Sequence, residues 1–158
     1  MAGCTATSDY MHPATAAESQ LVAPPDKALV VFMRPSGLGQ AKLFTVINGH
    51  GHFLGDAQAG ARFAVAVPPG EQLFVTWSET VAPMRANLLP GHIYYVLVDP
   101  RMGVWKARVD LLTVSKRTGN WKDLSDWLKD TVPLVPDTAA GQAHLTAEEY
   151  AEVQEALT

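Results

Sequence analysis

Cysteine is almost missing from this chain: 158 residues include one, Cys4, and a lone thiol closes no internal disulfide. Charge is also sparse. Asp, Glu, Lys and Arg make up 18% of the residues and leave a net charge of −4. The bases Lys27, Arg34, Lys42, Arg62, Arg85, Arg101, Lys106 and Arg108 are scattered rather than grouped. A nucleic-acid surface needs cations gathered on one face to displace counterions, so no nucleic-acid partner is expected. No apolar run approaches the roughly 20 residues of a membrane-spanning helix. Catalytic signatures are lacking too. There is no G-x-S-x-G elbow, and Gly37-Leu38-Gly39 is a lone G-x-G with Lys42 where the last glycine of a dinucleotide fingerprint belongs. Neither enzymatic activity nor a cofactor is expected.

What the chain does have is apolar residues, 47% of the total, set in short runs between Pro and Gly corners. Leu29 to Met33 is apolar on both faces, as a central strand requires, and Pro35 stops its ladder for want of an N–H. Leu43, Thr45 and Ile47 alternate with Phe44 and Val46 up to Asn48-Gly49, a dipeptide that predicts a tight hairpin with a return strand over about 51–56. Phe63, Val65 and Val67 share one face and Arg62, Ala64 and Ala66 the other. After Pro68-Pro69-Gly70, Leu73, Val75 and Trp77 alternate with Phe74, Thr76 and Ser78. A weaker strand over 84–89 ends at Pro90-Gly91, and 93–98 reads as a buried strand rich in Val, Ile and Tyr. Trp105, Ala107, Val109 and Leu111 then alternate with Lys106, Arg108 and Asp110. About eight strands without an intervening helix predict an antiparallel β-sandwich, Ig-like or transthyretin-like in outline.

The ends read differently from the middle. Ala2-Gly3-Cys4 resembles the small-small-Cys end of a bacterial lipobox, with Met1 where Leu is usual. An export signal is expected ahead of it in the gene product, with Met1 lying inside that signal or replacing its last residue. Residues 5–26, rich in Ala, Thr, Ser and Pro, lack both helical and strand period and are expected to be a flexible leash. Beyond the sandwich, Asn120 is a candidate N-cap for a helix whose stripe is Trp121, Leu124 and Leu128. Thr146 and Glu149 form a capping box, with Leu145 and Tyr150 as its staple. Tyr150, Val153 and Leu157 line one face of that last helix, which is too short to stand alone and needs the sandwich or a partner to dock on. The expected organisation is therefore a lipobox remnant and tether over 1–26, a sandwich over 27–115 and a helical appendage of one or two short helices over 116–158.

Two sets of residues invite a chemical reading. His50 and His52, two apart after the turn, project to one face if the strand begins there, and with Asp56 they are the candidate metal ligands. The frame resembles a cupin, with His-x-His, Asp56 and then Pro68 to Gly70. Leu73 stands where a cupin's further His belongs, so an exposed hairpin tip is the expected role. Glu71 and Glu79 are candidates to face each other across a sheet, against the simpler reading of solvated edge charges. Trp77 and Trp105 fall in phase with core residues and are expected to pack. Trp121 and Trp127, six apart on a helix, cannot both lie at the centre of one stripe, which suggests an interface. Trp121, Trp127, Tyr150 and Val153 are the interface candidates.

The order and spacing of ALVVFMRPS, NG followed by FLGD, RFAVAVPPGEQLF, NLLPGHIYYVLVD and RMGVWKARVDLLTV resemble the bacterial domain-of-unknown-function family 2846, over about 27–114. The resemblance departs at GHGHFLG, where that family more typically shows a Lys-containing turn, and it does not reach the C-terminal helices. It implies a small envelope-associated β-sandwich, often part of a lipoprotein, and it brings no catalytic residues. The expected function is a non-catalytic lipoprotein, anchored through lipid on Cys4, that binds or scaffolds a protein partner in the bacterial cell envelope. Thr5 after the cysteine, rather than Asp, resembles lipoproteins sent to the outer membrane. The alternatives are a degenerate cupin-like metal-binding protein or enzyme using His50 and His52, and a small-ligand or glycan-binding sandwich.

Overall fold

The run ALVVFMR forms β2 (Ala28–Arg34), and all seven of its residues are buried. A strand apolar on both faces needs a cover on each side, and that requirement organises the molecule. The computed structural model describes residues 4–145 and 147–157. The remaining strands are β1 (Met11–Pro13), β3 (Phe44–Asn48), β4 (Phe53–Ala57), β5 (Ala61–Val67), β6 (Gly70–Trp77), β7 (Val81–Leu88), β8 (Ile93–Met102), β9 (Ala107–Val114) and β10 (Val132–Pro136). A 3₁₀ turn at Trp121–Asp123 leads into α1 (Leu124–Asp130), and α2 (Thr138–His144) and α3 (Ala147–Leu157) close the chain. The strands form a β-sandwich: one sheet in the order β1-β10-β5-β2-β8-β9 faces another in the order β4-β3-β6-β7.

Period two decides what each face meets. Ala28, Val30 and Phe32 point between the sheets with Val46, Phe63, Phe74, Val96 and Val109. There Phe32 stacks on Phe63 at 5.1 Å and meets Phe74 edge-on at 5.5 Å. Leu29, Val31 and Met33 point outward, beneath Leu124, Trp127 and Leu128 around α1 and Leu21 and Ala23 from the N-terminal segment. On the opposite sheet Leu73, Val75 and Trp77 face out and are covered by Tyr150 and Val153 of α3.

Several expectations need correction. The six-stranded sheet is mixed, because β2 pairs with β8 and β10 with β5 in parallel. The segment 5–26 is not a free leash: Met11–Pro13 pairs with β10, Met11 and Ser8 are buried, and Leu21 and Ala23 pack on the sheet. Nor is 116–158 only a helical appendage, since it supplies β10 to the sheet. The side chain of Asn120 does not cap the following helix. Its amide instead donates to Thr113 O at 3.1 Å and its carbonyl accepts from Ser115 N–H at 3.2 Å. The capping-box residue Thr146 lies outside the described residues. Trp105 is not packed but 92% exposed.

The register defines two poles. β8 runs parallel to β2, so the ends of both strands, with the 35–43 loop and the 103–106 turn, lie at one pole. Ala61 beside Arg34 places the β4–β5 turn there, and a 2.9 Å bond from Lys42 Nζ to Ser78 Oγ adds the β6–β7 turn. The 49–52 turn, the Pro68-Pro69 corner and the Pro90-Gly91 corner lie at the other. Both proline corners need positive φ, +98° at Gly70 and +75° at Gly91. A Cβ added at either meets nothing closer than 4.0 Å, so the first cost is conformational. Gly70→Val and Gly91→Val are each expected to lose about 1–2 kcal/mol, read as a lower urea midpoint at unchanged slope.

Candidate functional site

The histidine pair sits on a turn built by Asn48. Its Oδ1 accepts the backbone N–H groups of His50 and His52 at 2.9 and 3.0 Å, an Asx-type closure. Gly51, not Asn48 or Gly49, takes the positive φ of +78°. Both imidazoles are exposed, with ring centroids 6.3 Å apart. Asp56 does not join them. It is buried inside β4 near the opposite pole, and its two oxygens accept from Ser8 Oγ and Thr45 Oγ1, each at 2.6 Å. The carboxylate thus pins the N-terminal segment to the sandwich. Among the described residues no three His, Cys, Asp or Glu groups are gathered to hold a metal.

The residue that sequence reading passed over is Arg34, counted only as one of the scattered bases. It is fully buried. Nη1 donates to Lys42 O and Ala57 O, each at 2.7 Å, and Nη2 donates to Gly39 O at 2.9 Å. The guanidinium also lies 4.5 Å over the Phe44 ring, a cation–π contact. Burial pulls its pKa down to about 10, which still leaves it charged at neutral pH. Phase was the available signal, since Arg34 follows Ala28, Val30 and Phe32 at even spacing onto the inner face. Arg62 plays a similar part at the end of α1, donating to Leu128 O at 2.8 Å and to Thr131 O. Burial lowers its pKa as well.

The other candidates are used within the body. Val153 is 2% exposed under α3 and Tyr150 packs beside it. Trp127 packs over β2, and Trp121 meets Tyr95 edge-on at 6.1 Å. The short helices thus dock on their own sandwich, with Trp121 left 41% exposed. Glu71 and Glu79 stand at opposite ends of β6, so they cannot face each other. A shallow groove of about 390 Å³ is lined by His50, Glu71, Leu73, Arg85 and Asn87, without a tryptophan. A second, of about 370 Å³, runs between Trp77, Glu79 and Val81 and the Glu152 to Ala156 side of α3.

Exposed apolar side chains concentrate elsewhere. The β8–β9 hairpin carries Met102, Val104 and Trp105 at its tip, 71%, 88% and 92% exposed. At the same pole the N-terminal segment meets the 35–43 loop: Ala6 N–H donates to Gln40 O at 2.7 Å, and Cys4, two residues earlier, is an exposed free thiol. Comparison of the chain with protein-family models, with curated proteins and with solved structures gave no match.

Proposed function

We propose that this chain is a non-catalytic binding or scaffolding module of the bacterial cell envelope, tethered by lipid on Cys4, with the outer membrane as its destination. The resemblance to family 2846 belongs to the same reading. The observation that carries it is a division of labour. Buried Asp56 and Arg34 and half-buried Arg62 are all engaged in bonds that hold segments together, whereas Cys4 stands exposed just before Thr5 and Ala6, which bond to Gln40 of the 35–43 loop. The tether is then short. Ordering from Ala6 onward keeps the sandwich close to the bilayer instead of some tens of ångströms away on a leash.

Several acyl chains, at about 0.8 kcal/mol per buried CH₂, dominate any surface contact the body makes. Cys4→Ser in the natural gene is therefore expected to move the protein from the membrane to the soluble fraction. Equal fractionation of wild type and variant, with an unmodified Cys4 by mass spectrometry, would overturn the reading. The cupin-like rival requires stoichiometric metal on untagged protein that is lost in His52→Ala. The ligand-binding rival requires a thermal shift with a glycan or small molecule that is lost in Trp77→Ala.

A further inference from the structure

The β8–β9 hairpin outreaches the sheet that supports it. β2 ends its pairing with β8 at Leu97, whereas β8 and β9 stay paired out to Met102 and Ala107. Five further residues at about 3.4 Å each carry the tip roughly 17 Å past that point. Solvent-facing Met, Val and Trp on a projecting turn mark a contact surface. The charges around them indicate which one. In a chain of net charge −4, Arg101, Lys106 and Arg108 surround the tip and all are exposed. Arg101 is held between Asp99 at 3.0 Å and Asp110 at 3.4 Å. Among the described residues Lys106 and Arg108 have no carboxylate partner. Tryptophan favours the headgroup level of a bilayer, and unpaired cations beside it favour anionic lipid.

We infer that the tip of the β8–β9 hairpin is a second membrane contact, with Trp105, Val104 and Met102 entering the headgroup layer of an anionic phospholipid surface while Lys106 and Arg108 meet its phosphates. The orientation rests on the lipid-anchor reading: Cys4 leaves the body at the same pole, so one bilayer reaches both. Two attachment points fix the rotation that a single tether leaves free, and the anchor raises the effective concentration of the tip at the surface.

Cys4 is the only cysteine, so the full chain can be coupled through it to maleimide-bearing lipid in vesicles, whether or not the cell lipidates it. With brominated acyl chains in phosphatidylglycerol–phosphatidylcholine vesicles, tryptophan emission is expected to be quenched in the coupled wild type. Trp105→Phe is expected to remove most of that quenching, because Trp105 is 92% exposed on the hairpin whereas Trp77 and Trp127 pack against the sheets and Trp121 against Tyr95. Uncoupled Cys4→Ser protein is expected to bind the same vesicles weakly, and about fivefold more weakly for each cation neutralised in Lys106→Gln and Arg108→Gln. Unquenched Trp105 in the coupled protein, or equal quenching on pure phosphatidylcholine, would overturn the inference. So would concentration-dependent dimerisation that is lost in Val104→Ser/Trp105→Ser, which would assign the tip to a second copy of the chain. Failure of cellular lipidation leaves these outcomes unchanged and is read separately by fractionation.

Discussion

Gly55→Ala is expected to destabilise the protein by about 3 kcal/mol, at the upper end of core overpacking, and to lower its melting temperature by roughly 10 °C. Gly55 lies in β4 opposite Val46, and a methyl group there would stand 2.6 Å from the ring of Phe63. That ring has nowhere to go. It is 3% exposed and stacked on Phe32, which is itself fixed against Phe74. Displacing one ring therefore disturbs three across both sheets. Thermal and urea denaturation measure the loss, and a double-mutant cycle tests its cause. Phe63→Leu alone should destabilise through lost ring contacts. In the Gly55→Ala background it should recover at least about 1 kcal/mol relative to additivity. Strict additivity would mean that the cost arises in the backbone of β4 and not at the ring.

Gly55 also illustrates what sequence can convey. Period two separated the faces of β2, β5 and β6 correctly, because each strand meets apolar cover on the side its alternation indicates. The same period misplaced Trp105. It falls in phase with Val109 and Leu111, but phase reports only which way a side chain points, not whether a second sheet still lies opposite. β1 was illegible because three residues, one of them proline, carry no period. β10 was hidden by the two prolines of VPLVP, which ordinarily argue against a paired strand. Its ladders to β5 and β1 overlap only at Leu134, so few of its positions need partners on both sides. α2 escaped notice although Asp137 caps it, its Oδ1 accepting from Ala140 N–H at 3.1 Å. At the candidate site, the spacing of His50, His52 and Asp56 suggested convergence. The strand instead carries Asp56 into the interior, towards hydroxyls of residues 11 and 48 positions away in sequence. Long-range partners of that kind leave no local trace.

Arg34→Met is expected to cost about 3 kcal/mol and to loosen the 35–43 loop. Two opposing terms set the balance. Removing the guanidinium relieves the desolvation that already lowers its pKa, and Met fills much of its volume. The backbone carbonyls of Lys42 and Ala57 remain, however, and a buried acceptor left unpaired costs about 1–3 kcal/mol. The 2.9 Å bond to Gly39 O and the contact over Phe44 are lost as well. Because the acceptors belong to the main chain, no apolar replacement can remove them, and the loss outweighs the relief. Arg34→Lys keeps a donor but not the planar fork that reaches several carbonyls at once, so it should fall between the two. Urea midpoints rank the three proteins, and limited trypsin digestion reads the loop through cleavage after Lys42. The consequence extends to the N-terminus, since Ala6 is bonded to Gln40 of this same loop. Amide exchange at Ala6 should therefore accelerate in parallel with cleavage at Lys42. Wild-type stability with an uncut loop in Arg34→Met would show that the carbonyls find other donors and that Arg34 does not hold the pole together.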